Sequence, residues 1–174
     1  MLANRWWHFV RQYTLYSLGT GHGWGTRRAH IGGRCRVILD ASVAVKLVVA
    51  EPGTIEAREV CFRQPSLSAP DWVLIEAGSA IWNKVMRGEL RAADIPETMH
   101  LLPQFFTSLH PSADLLGEAM RVAVQLKHHV YDCLYLALAM HMREQLLTAD
   151  KGFVISARRA GLEAHVQLLS WEER

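Results

Sequence analysis

The sequence predicts an α/β fold in which a central parallel sheet carries helices on both faces. Three observations lead there. Arg36-Val37-Ile38-Leu39-Asp40-Ala41-Ser42 is an apolar run that ends in an acid and then changes to a helical pattern, as a strand buried on both faces does. Leu146-Leu147-Thr148-Ala149-Asp150 repeats that form late in the chain. Around them, short apolar runs alternate with helical stretches, and such units join parallel strands through right-handed crossovers.

At 174 residues the chain suits one domain with a real core, and 50% of its residues are hydrophobic. No apolar run reaches the ~18 residues that span a bilayer, so no membrane partner is expected. Cys35, Cys61 and Cys133 are an odd number without CxxC spacing. They fit a reducing, cytoplasmic setting rather than a disulfide framework or a zinc site. The formal charge of +2 hides an asymmetry: residues 1–36 hold six arginines and no acid, and the remainder holds 13 basic against 17 acidic residues. The basic balance belongs to the leading segment and does not argue for nucleic-acid binding.

Residues 1–35 are set apart as an N-terminal extension, with 36–174 as the domain. Trp6, Phe9, Val10, Tyr13 and Tyr16 fall at helical spacing, and Gly19, Gly21, Gly23 and Gly25 follow. No strand precedes these glycines, so they are not a phosphate-binding fingerprint. His8, Arg11 and Gln12 interrupt the apolar block that a signal peptide needs. The segment reads as an appendage or a misassigned translation start.

After the first strand, 43–49 reads as a short helix closed by Pro52-Gly53, and 54–60 as a second with Thr54 as N-cap. A strand at 66–69 comes next. Pro70-Asp71 then opens a long helix, proline in its first turn and an acid at the positive dipole end, which Gly88 stops. A helix to about 102, a third strand at 105–110 and a helix over 114–127 follow, the last striped by Leu115, Ala119, Val122 and Leu126. The nearly all-apolar 131–143 is a buried helix. The strand at 146–150 leads to a helix over 153–159 stopped by Gly161, and 165–169 is the last strand.

Acids among apolar residues are the informative feature, because unpaired buried charge is costly. Asp40 and Asp150 end apolar strands, and Asp132 opens the buried helix between Tyr131 and Cys133. Glu76 shares a helix face with Trp72, Ile75, Ser79 and Trp82, and both tryptophans read as core. Each acid has a local explanation: Asp40 or Asp132 capping a helix, Asp150 starting a turn, Glu76 pairing with an arginine. Together, however, the tips of the first and fourth strands can lie side by side, with the start of the 131–143 helix at the same rim. Carboxylates converging there repel one another, and a divalent cation removes that problem. An all-oxygen site favours Mg²⁺ or Mn²⁺ over Zn²⁺.

With those residues assembled, the chain resembles the PIN-domain ribonucleases, and more narrowly the VapC toxins of bacterial toxin–antitoxin pairs. The resemblance runs from about residue 36 to 171. It is carried by Val37-Ile38-Leu39-Asp40-Ala41-Ser42-Val43, Ala69-Pro70-Asp71-Trp72-Val73-Leu74-Ile75-Glu76, Tyr131-Asp132-Cys133-Leu134-Tyr135-Leu136-Ala137-Leu138-Ala139 and Leu147-Thr148-Ala149-Asp150-Lys151. It implies a PIN-like three-layer fold with a central five-stranded parallel sheet. It implies a catalytic quartet of Asp40, Glu76, Asp132 and Asp150, with Asp40, Asp132 and Asp150 holding Mg²⁺ or Mn²⁺ for cleavage of RNA by activated water. Ser42 and Thr148 match small hydroxyl positions that support the acids, and local bonding to turn backbone explains them equally well. The resemblance also implies an RNA substrate, a VapB-like cognate antitoxin with a basic residue directed at the acids, and a homodimer. Residues 1–35 are outside the family pattern.

Two other doubly wound enzymes are disfavoured. A phosphotransferase of the haloacid dehalogenase type needs a second acid two residues after the first, where this chain has Ser42. A receiver domain needs paired early acids and a lysine after the last strand. A PIN-like module that only binds RNA or protein has no need of four acids near a polyanion, though a non-toxin RNA-processing nuclease would use the same site. His128 and His129, being adjacent, are expected to point apart, and the other seven histidines are scattered.

Overall fold

The computed structural model describes residues 36–171. The readings made of residues 1–35 lie outside the described residues. The sheet consists of β1 (Val37–Leu39), β2 (Leu67–Pro70), β3 (Ser108–His110), β4 (Gln145–Thr148) and β5 (Val166–Leu168), in the order β3-β2-β1-β4-β5. All four pairings are parallel. The helices are α1 (Ala41–Val48), α2 (Thr54–Phe62), α3 (Val73–Met86), α4 (Ile95–Leu101), α5 (Ser112–Leu126), α6 (Val130–Met142) and α7 (Lys151–Arg159). Right-handed crossovers from β1 to β2 to β3 put α1–α4 on one face. The return past β1 to β4 and on to β5 puts α5–α7 on the other. This is the five-stranded α/β architecture expected from the sequence.

The core follows from composition. Ile38, Leu39, Leu146 and Leu147 are at most 1% exposed, because helices cover both faces of the inner strands. Helix α6 buries every residue from Cys133 to Ala139 as it crosses β1, β2 and β4. Within α5 the buried residues are Leu115, Ala119, Val122 and Leu126, the stripe that the sequence shows.

Several boundaries differ from expectation. Pro70 ends β2 rather than opening α3, since β1 pairs with β2 only at Leu67 and Ser68, so no bond is lost to its missing N–H. Gly53, not Thr54, precedes α2; its φ of 81° is one that a side chain resists, and a Cβ there would come within 2.8 Å of the Trp171 ring. Thr54 instead accepts from the Glu51 N–H and donates to the Val49 carbonyl. The third strand is shorter than 105–110, because Leu102–Phe105 is a 3-10 turn. Residue 150 lies beyond β4, as the cap of α7. Trp82 is not core: it is 56% exposed, as is Ile75 at 62%, while α3 buries Val73, Ala77 and Ile81. The face assigned to Glu76 is therefore largely a solvent face.

Candidate active site

The order of the strands reverses between β1 and β4, and the crevice past the carboxyl ends of such strands is where open α/β sheets place their sites. Asp40 stands there. Its main chain caps α1, with the carbonyl accepting from Val43 and Ala44, while its N–H donates to the Leu147 carbonyl of β4 at 3.1 Å. The side chain makes no cap bond. Instead Asp40 Oδ2 accepts from Ser42 Oγ at 2.7 Å and from Thr148 Oγ1. The two hydroxyls also take backbone donors, Ala149 N to Ser42 and Asp150 N to Thr148, each at 3.0 Å. Both readings of these hydroxyls hold at once: they bond turn backbone and orient the acid.

The other three acids stand at the starts of three helices. Asp132 lies in the first turn of α6, whose cap is His129. Asp150 caps α7, accepting from Phe153 N at 2.9 Å. Glu76 lies in the first turn of α3 and accepts from the Tyr135 hydroxyl at 2.7 Å, not from an arginine. Burial pushes the Asp40 carboxyl above the usual range; its two hydroxyl donors oppose the shift and the negative charge on Asp132 adds to it. Burial likewise lifts Glu76 to about 7, with Tyr135 opposing and Asp40 and Asp132 reinforcing. Asp132 is raised by burial, lowered by His128 and raised by Asp150. Asp40, Glu76 and Asp132, which come from three separate segments, are thus each raised in part by the charge of a neighbouring acid.

Among the described residues, no three His, Cys, Asp or Glu side chains are grouped so that they could hold an ion. The donor chemistry still suits magnesium, which keeps several waters and uses only one or two carboxylates together with substrate phosphate. Carboxylates raised first by burial and further by one another's charge are also a site that gains by admitting a cation.

Two contributors are absent from the sequence reading. Tyr135, the one hydroxyl in the buried run 133–139, lies one turn beyond Asp132, and that three-residue spacing was the signal for a shared face. His128 does not point away: its Nε2 is 3.0 Å from Asp132 Oδ2, its ring meets Phe153 edge-on, and the His129 ring lies 6.0 Å away. The expectation of divergence assumed a helix through 128–129, whereas α6 begins at Val130.

Comparison with known proteins agrees with this fold. Residues 37–158 match the family model for the PIN domain. Ribonuclease VapC3 of Pyrobaculum aerophilum is 30% identical over 118 residues, which is 67% of this chain and 90% of that protein. Ribonuclease VapC1 of Mycobacterium tuberculosis is 25% identical over 134 residues, 76% of this chain and 96% of its own length. The crystal structure of PAE2754 from Pyrobaculum aerophilum shares the fold at a TM-score of 0.56 and 23% identity, covering 70% of this chain and 86% of that one. A five-stranded parallel sheet, a family match over most of the core and relatives of this similarity together establish that the chain belongs to the PIN-domain family, with relatives among the VapC ribonucleases.

Proposed function

We propose that this chain is a divalent-metal-dependent endoribonuclease acting as the toxin of a toxin–antitoxin pair. The observation that carries the reading is the Asp40 carboxylate, oriented by hydroxyls from its own strand tip and from β4 and electrostatically joined to Asp132 and Glu76. Residues 36–174 make up the nuclease domain in this reading, and 1–35 an extension of it. Asp40, Asp132 and Asp150 would hold Mg²⁺ or Mn²⁺, one or two of them directly and the rest through its waters, and Glu76 would orient water. The bound ion supplies an activated water and neutralises charge building on the phosphate oxygens. Ser42 and Thr148 keep Asp40 fixed, and Tyr135 favours the ionised form of Glu76, the state able to accept a proton.

The same carboxylates would also offer a means of control. A VapB-like antitoxin presenting a basic side chain to these carboxylates would occupy the place of the ion. Cytoplasmic location and homodimer formation complete the proposal. No helix of the described residues is long and apolar enough to cross a membrane.

A silent RNA- or protein-binding module is the second reading, favoured by the lack of a three-ligand group among the described residues. One experiment separates them. Purified protein is incubated with labelled RNA in Mg²⁺ and in EDTA, beside Asp40→Asn. Cleavage that needs both the metal and Asp40 supports the nuclease; RNA left intact by the wild type in Mg²⁺ and Mn²⁺ favours the silent module.

A further inference from the structure

At the amino ends of β1, β2 and β3, the other end of the sheet from Asp40, the surface opens into a cleft of about 310 Å³. Arg36, Pro65, Ser66, Ser68, Thr107 and Ser108 line it. Its make-up follows from the register of the strands. Side chains alternate across a strand, and residues paired in neighbouring parallel strands point the same way. Ile38 pairs with Ser68 and Ser68 with Ser108, so both serines share one face of the sheet. Arg36 and Ser66 come two residues before Ile38 and Ser68 and share that face too. His110, two residues after Ser108, extends the polar row along β3.

A merely solvated sheet edge explains this set poorly. Such an edge mixes charges of both signs, whereas the described residues that line the cleft include one cation and no acid. The Arg36 main chain is held from the β4 side, its N–H donating to Glu144 Oε2 at 3.2 Å. Its guanidinium pairs with no carboxylate among the described residues. Ser68 is only 2% exposed, and its hydroxyl meets that of Ser108 at 2.8 Å, which in turn lies 3.2 Å from His110 Nε2. When Ser68 and His110 both donate to Ser108, the Ser108 proton is left to turn toward a guest. Hydroxyl donors around an unengaged guanidinium are the groups that bind a phosphate, the guanidinium through two parallel N–H bonds.

We propose that this cleft is a binding site for a small phosphate monoester. Arg36 takes the charged oxygens, Ser66, Thr107 and Ser108 donate from the sides, and Pro65 supplies an apolar wall for the ester carbons. The volume is at the small end of the range for ligand sites, which suits a compact ester. The cleft shares no residue with the carboxylate site, so the proposal stands or falls apart from the nuclease reading. A guest held there touches residues of β1, β2 and β3 together, and a ligand that binds only the folded chain stabilises it.

The test uses the full chain in EDTA, so that no divalent ion at the carboxylates draws the anion. Glycerol 3-phosphate is the probe, with inorganic phosphate beside it and sodium chloride of equal ionic strength as the control. Titration calorimetry reads the affinity, and the melting temperature reads the stabilisation. Glycerol 3-phosphate is expected to bind and to raise Tm above the chloride control. Residues 1–35 carry five arginines of their own, so variants of the cleft decide where the anion sits. Arg36→Gln weakens binding about ten-fold or more, and Ser108→Ala about three-fold. Both side chains are exposed, and both variants keep a cooperative melting transition. Failure of both probes to bind, or equal affinity in the wild type and both variants, overturns the site. Inorganic phosphate bound with the ester excluded overturns the monoester assignment.

Discussion

The Tyr135 hydroxyl donates to Glu76 Oε2 at 2.7 Å, joining the buried helix α6 to the first turn of α3. Burial and the nearby charges of Asp40 and Glu76 hold the phenol far above its ordinary range, so it stays a donor. Among the influences on Glu76, this bond alone favours the charged form; burial, Asp40 and Asp132 all oppose it. Tyr135→Phe therefore lets the carboxyl titrate still higher. The acid limb of the pH–rate profile for RNA cleavage is expected to move up by roughly one unit, with little change on the alkaline side.

Stability without metal should fall as pH rises. Asp40, Glu76 and Asp132 are all raised in the folded protein, Glu76 to about 7 from 4.5. A carboxyl raised by folding binds its proton more tightly in the native state than in the unfolded one. Its contribution is full below the unfolded value and is lost as pH climbs through the folded value. In EDTA the melting temperature is expected to drop by several degrees between about pH 5 and pH 8. Glu76→Gln should flatten the slope, and Mg²⁺ should restore most of the loss at the upper end. Calorimetry with and without the ion checks each point.

Asp40→Asn keeps the shape of the strand tip and removes its charge. Cleavage is expected to fall by about 100-fold or more. The fold should survive, because the amide oxygen can still accept from Ser42 and Thr148 and a charge costly to bury has gone. A cleavage time course and a urea titration on the same preparation measure both.

Away from the site, Glu51 holds two lysines. It pairs with Lys46 at 2.7 Å and with Lys84, and all three side chains are at most 13% exposed. Glu51→Ala would leave Lys46 without a carboxylate and Lys84 with Glu89 alone, both with little water around them. A loss of about 3–5 kcal/mol is expected in urea unfolding, with RNA cleavage by the remaining folded protein unaffected.

Removing residues 1–35 should leave a cooperatively melting, active domain. The buried cluster among the described residues runs from Val37 to Leu169. Broad, non-cooperative unfolding of the truncated protein would argue the opposite.

The parts of this structure that the sequence discloses are those where burial writes a pattern. Val37–Leu39 and the β4 run are apolar because both faces are covered, and the stripe of α5 has helical period because one face is. Asp40, Asp132 and Asp150 stand out against such patterns, which is why the sequence singles them out. Glu76 is singled out for a weaker reason, since the face to which it was assigned is mostly exposed. What stayed hidden depends on two segments meeting. Nothing local in α3 announces the Tyr135 bond, and the cap that brings His128 to Asp132 depends on where α6 starts. The ring of Trp171 against Gly53 is likewise a contact between distant stretches, so Thr54 looked like the better cap.

The bond from Thr148 to Asp40 spans 108 positions of the chain. During synthesis the ribosome releases β1 long before β4, and the fixed acid awaits its second hydroxyl until the later strand has docked. On the proposed nuclease reading, the Asp40 site of a growing chain would stay unfinished until residue 148 had emerged.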